Sequence, residues 1–329
     1  MTPFGILKDG QPVHSITLEN GTLTARILTY GAILQDLRLA GIPYPLTLGF
    51  AEIAAYENDP AYFGALIAPV VNRIAGGQCD IDGKRWEFAR NEGTTTLHSG
   101  PTGSHAAIWT VAGQTATSLT LTLDQAAGQG GFPGNRSLTA TYALADSTLS
   151  LTIEATTDAT TLMNPAHHGY WNLDGTPTWE GHVLRIMADR YLPTTDDNLP
   201  TGAIAPVDGT AWDMRAGVTL ARAGAPKLDT NFCLADARGP LRDAVRLTGT
   251  SGVTLDIATT ESGVQIFDAA PIDTGPAPTI HGHPYGARCG IAIEPQGWPD
   301  APHNPAFPSI VLRPDTPYRQ QTTFRFSRR

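Results

Sequence analysis

The chain has 329 residues, with 31 acidic against 22 basic side chains and a formal net charge of −9. That balance denies it the basic footprint that nucleic acid or an anionic membrane surface requires, so neither is expected as a partner. Three widely spaced cysteines, Cys79, Cys233 and Cys289, give neither a disulfide framework nor a CxxC metal clip, and a chain of this size can bury a core without such staples.

The opening stretch MTPFGILKDG carries Lys8 and Asp9 where a secretory signal needs an apolar run. No run of about 18 apolar residues occurs anywhere, so no membrane span is expected. The expected setting is cytoplasmic.

Period-two alternation then recurs along the chain. Leu23, Ala25 and Ile27 alternate with Thr24, Arg26 and Leu28; Leu119, Leu121 and Leu123 share one face of SLTLTLDQ. Leu149, Leu151 and Ile153 repeat the pattern, as do Val253, Leu255 and Ile257, and near the C-terminus Thr322, Phe324 and Phe326. Aliphatics on one face with threonines on the other predict antiparallel strands with one buried side. Helical candidates are confined to residues 51–62 and 213–221. The 34 glycines and 26 prolines punctuate short strands, and the clusters at 128–134 and 270–284 are short enough to be loops. The expected fold is all-β: a large antiparallel sandwich with few short helices, forming a single domain over 1–329.

Four polar clusters could carry chemistry. In VVNRIAGG (70–77), Asn72 and Arg73 precede a double glycine and offer a fork of donors; LHSG (97–100) adds His98. In NPAHHGYWNLDG (164–175), two histidines stand beside Tyr170, Trp171 and Asn172. Strand geometry sends His167 and His168 to opposite faces, so one of them serves a given site. The aromatics suit a sugar face and Asn172 suits hydroxyls, although two loop-surface histidines would look the same. LDTNFCL (228–234) puts Asp229 and Asn231 on one face and Phe232 on the other. In CGIAIEPQGWPDAPHNPAFPS (289–309), Glu294 projects from the face opposite Ile291 and Ile293, placed either as a general base or as a solvated edge carboxylate. Asp300 and His303 read as loop-shaping groups. His281 and His283 are a weak metal signal without a third ligand, so no metal is expected. No nucleotide-binding loop or nucleophile elbow appears.

Taken together these segments, with GFPGNRSLTATYAL, RYLPTTDDNLPTGAIAPVDGTAWDMR and GVQIF between them, resemble the aldose 1-epimerases in order and over about residues 16–326. The resemblance implies a curved β-supersandwich, no cofactor and a monosaccharide as small-molecule partner. It implies His168 as general acid and Glu294 as general base. Asn72, Arg73, His98, Asp229 and Gln265 would hold and orient the sugar. Departures from the family pattern fall at Ala68-Pro69, Ser99, Trp171 and Asp268-Ala269-Ala270, and are expected at the pocket rim. With His168 near the ordinary value of about 6.5 and Glu294 near about 4.3, both protonation forms would be available at neutrality. Alternatives are a mutarotase of anionic sugars (Arg288 and Arg222 being conceivable donors), a sugar sensor without catalysis, and a glycosidase using Asp229 as second carboxylate. The oligomeric state is not legible in the sequence.

Overall fold

The computed structural model describes residues 1–58, 61–221 and 226–328. Its largest element is a nine-stranded antiparallel sheet running, edge to edge, through Thr110–Gln114, Ser118–Gln125, Arg136–Ala145, Thr148–Thr157, Tyr318–Arg328, Val253–Thr259, Arg242–Thr248, Val183–Ile186 and Val218–Thr219. The alternating residues fill its inner face: Leu119, Leu121, Leu149, Leu151, Ile153, Leu255, Ile257, Phe324 and Phe326 are all buried in one cluster. A four-stranded sheet (Thr2–Ile6, Pro12–Glu19, Leu23–Leu28, Leu34–Leu39) closes the N-terminal side, with Leu23, Ala25 and Ile27 in the same cluster. The expected all-β architecture is what the chain adopts.

A six-stranded sheet positions the pocket. Its order is Tyr170–Trp171, Ile291–Gln296, Gly263–Phe267, Asp229–Cys233, Arg190–Tyr191, Ala205–Pro206. Glu294 pairs with Gln265, which pairs with Asn231, and Asp229 pairs with Phe267, so these side chains share one face. The other face carries Ile291, Ile293, Val264, Ile266, Phe232 and Trp171 into the main core. One sheet thus turns its aliphatic side inward and its polar side toward a cleft.

The helical expectations shrink. Among the described residues of 51–62, only Ile53–Tyr56 forms an α-helix, with Ile53 and Tyr56 buried and no side-chain cap to extend it. Residues 213–221 are not helical. Arg215 is drawn away into ion pairs with Asp189, Asp208 and Asp213, while Val218–Thr219 pairs with Val183–Leu184 at the sheet edge.

Candidate active site

All seven sequence-predicted site residues converge. His168, Glu294, Asn72, Arg73, His98, Asp229 and Gln265 line one cavity of about 300 Å³, at the small end of the range for ligand pockets. Tyr62, Tyr170, Phe267 and Ile272 supply its apolar wall.

His168 reaches the cavity because its backbone is held on both sides: its N–H donates to the Ala65 carbonyl, and its carbonyl accepts the Gly64 N–H. Gly64 sits at φ 69°, and a Cβ there would collide with the Leu34 carbonyl. His167 points the other way, against Tyr142 and Phe324. His168 Nε2 lies 3.5 Å from Glu294 Oε2, and the two residues are only 5% and 2% exposed. Burial lowers the His168 ring to about 3 and pushes the Glu294 carboxyl well above its ordinary value, with Asp229 adding to that rise and Arg73 opposing it. The expectation of near-ordinary values for both groups is therefore corrected. Burial moves both groups off their solvated values, and burial is a property no residue type announces.

His98 is fixed as a neutral donor. The Asn72 N–H donates to His98 Nδ1 at 3.0 Å, which leaves the ring proton on Nε2. Burial first, then the neighbouring His168, His105 and Arg73, lower its pKa well below the usual value. Tyr62, Asn72 and His98 all sit at positive φ (58°, 62° and 52°). Such conformations cost a few kcal/mol among them and cluster where a site is held in place. Asn and His are enriched in this region among non-glycine residues, so the bulky Tyr62 is the outlier of the three.

Arg73 bridges two carboxylates, Glu92 by hydrogen bonds and Asp229 across 3.6 Å. Gln265 Nε2 donates to Asp229 Oδ1 at 2.6 Å. Burial raises the Asp229 carboxyl, with Arg73 and Gln265 working against the rise. Several buried polar atoms here make no hydrogen bond within the protein, among them Glu294 Oε2, His168 Nδ1 and Gln265 Oε1. Buried capacity of this kind is what a polyhydroxylated ligand satisfies.

Several expectations for neighbouring residues change. Asn172 is buried and spends its amide on the Thr176 and Cys289 carbonyls, so it is not a sugar-binding group. Trp171 is core, packed on Phe324, and Ser99 ties itself to the Val70 backbone, so neither departure touches the rim. Asp268 accepts the Leu228 and Ala270 N–H groups. Asp300 holds His303 and the Ala75 N–H, which is loop-shaping as read. Arg288 lies over Trp179, away from the cavity, and Arg222 lies outside the described residues. Among the described residues no His, Cys, Asp and Glu group has metal-holding geometry. Three contributors were missed: Glu92, Tyr62 and His105. Tyr62 stacks edge-on to both His98 and His105.

The aldose 1-epimerase family model matches residues 14–325. The chain belongs to that family. Galactose mutarotase of Rattus norvegicus is 34% identical, over 99% of this chain and 98% of the relative. Aldose 1-epimerase of Escherichia coli K12 is 30% identical, over 97% and 96%. Among solved structures, a GalM/aldose epimerase homologue from C. elegans superimposes with a TM-score of 0.89 at 31% identity, covering 96% of this chain and 99% of that one. Galactose 1-epimerase from Lactobacillus acidophilus gives 0.83 at 25%, covering 98% and 96%. The supersandwich expected of an aldose 1-epimerase is thus the one observed, and the chain is an enzyme of this class.

Proposed function

We propose that the protein interconverts the α and β anomers of a neutral monosaccharide in this cavity, with His168 and Glu294 as its acid–base pair. The observation that carries the reading is the 3.5 Å approach of His168 Nε2 to Glu294 Oε2, with both side chains almost wholly buried. A hemiacetal bears O1 and O5 on the same carbon, so two proton-transfer groups this close can serve both oxygens at once.

Glu294 takes the O1 proton while His168 gives its proton to O5. The C1–O5 bond breaks, C1=O1 forms, and the aldehyde rotates about C1–C2 before the steps reverse on the other face. The pair carries one proton throughout. Opening starts from carboxylate and imidazolium and ends at carboxylic acid and neutral imidazole, which is the form burial favours. Asn72, Arg73, Asp229 and Gln265 hold hydroxyls so that the freed aldehyde stays in place, and neutral His98 donates to the ring oxygen as charge develops there. No cofactor enters these steps.

A neutral sugar is favoured over an anionic one because Arg73 is the only arginine or lysine among the described lining residues and already faces Glu92 and Asp229. A cluster of buried residues drawn from Ile16 to Phe326 supports one domain over 1–329. Three buried free thiols and the acidic balance support a cytoplasmic setting. No helix among the described residues is long and apolar enough to cross a membrane.

The test is polarimetry of freshly dissolved α-D-galactose with and without the protein, EDTA present. Faster approach to the same final rotation is expected. An unchanged rate with galactose, glucose, xylose and arabinose would contradict the reading and favour a sensor.

A further inference from the structure

Arg73 is gripped from outside the cavity by a residue with no part in the proton transfers. Its Nε donates to Glu92 Oε2 at 2.7 Å and its Nη2 to Oε1 at 2.9 Å, a two-point fork that fixes the guanidinium plane. The Arg73 side chain is 10% exposed and that of Glu92 41%, so the pair runs from the pocket wall to solvent.

The turn that carries Glu92 is tied down. Asn91 donates from Nδ2 to the Leu97 carbonyl and accepts the Leu97 N–H. Glu92 and Thr95 exchange backbone hydrogen bonds. Leu97 in turn pairs with Arg73 across a two-stranded ribbon that leads straight into His98. Glu92 is delivered to Arg73 by the same ribbon that delivers His98 to the pocket.

The fork occupies Nε and Nη2. Nη1 faces Asp229 at 3.6 Å, beyond hydrogen-bond reach, and so keeps donors for a hydroxyl. Two carboxylates flank one guanidinium, and exposed Lys227 is the further cation whose field reaches Asp229. An oriented N–H serves a neutral hydroxyl well, whereas an acidic substituent would meet a cation already matched twice.

We propose that Glu92 is a positioning and specificity residue: it locks the Arg73 plane and cancels its charge, so that the cavity accepts neutral aldoses and rejects uronates and sugar phosphates. The proposal rests on the cavity being the monosaccharide site described above.

The test compares dissociation constants of D-galactose and D-galacturonate, by NMR titration, for the wild type, Glu92→Gln and Glu92→Asp. The Gln variant, which keeps the shape and loses the charge, should reduce the preference for galactose at least about fivefold, while the Asp variant keeps it within about twofold. With galactose as substrate, the Gln variant should raise KM by more than it lowers kcat. In the wild type, galacturonate should bind more tightly as salt rises from about 20 to about 300 mM, with galactose unaffected. An unchanged preference in the Gln variant, equal loss in the Asp variant, or a flat salt response would each overturn the proposal. Because preference is read from binding, absence of mutarotation would count against the proposed function and leave this test standing.

Discussion

The backbone N–H of Asn72 donates to His98 Nδ1 at 3.0 Å, and the backbone N–H of His98 donates back to the Asn72 carbonyl at 3.0 Å. This reciprocal pair locks both the ring orientation and its tautomer, so His98 presents Nε2–H at every pH where the fold persists. Replacing His98 by Asn should lower kcat about 10²-fold, the scale of one lost oxyanion donor, with a smaller change in KM. Steady-state polarimetry separates the two constants. A rise in KM alone would make His98 a simple binding group.

The pH profile follows from burial. His105 and His167 are lowered to about 4, His168 to about 3 and His281 to about 4, with His98 also well below 6.5. Between those values and 6.5 the unfolded chain binds more protons than the folded one, so stability rises with pH and is lost as pH falls below about 6.5, at up to about 1.4 kcal/mol per pH unit for each histidine. Acid loss of activity should therefore be cooperative and track far-UV circular dichroism. The alkaline limb belongs to Glu294, whose raised carboxyl loses the pair's one proton there. A single-proton limb near pH 6.5 with the fold intact would contradict this.

Asp229 is committed to Arg73 and Gln265 and is not free to act as a second catalytic carboxylate. Asp229→Asn should raise KM for galactose roughly tenfold, as for a lost charge-assisted contact. The wild type should release no nitrophenolate from 4-nitrophenyl galactosides, followed by its visible absorbance. Measurable release would favour a glycosidase.

Leu255 is fully buried on the inner face of the nine-stranded sheet, away from the cavity lining. Leu255→Ala should cost about 2–5 kcal/mol of stability. Its folded fraction should retain wild-type kcat/KM. Urea denaturation together with polarimetry checks both halves, and a loss of kcat/KM in folded protein would show the site to be coupled to this core.

What could be read in the sequence was what repeats locally. Ile291 and Ile293 against Glu294, and Phe232 against Asp229, obey a period of two, and the structure sends them to the faces that the period requires. Glu92 was invisible because its partner Arg73 lies 19 residues away and only the ribbon pairing brings them together. Asn172 looked like a sugar ligand because an amide beside aromatics has the right chemistry; its use on the Thr176 and Cys289 carbonyls is a tertiary fact. The pKa expectations failed for the same reason, since a residue type says nothing of its burial.

The central claim is that His168 and Glu294 share one proton and act as one unit. The measurement that tests it most directly is anomer exchange of D-galactose by NMR in His168→Asn, Glu294→Gln and the double variant. Each single change should lower kcat at least about 10²-fold, and the double variant should fall well short of the product of the two losses, as for groups acting together. A loss below about tenfold in either single variant, on the scale expected of general acid–base catalysis, would contradict the account.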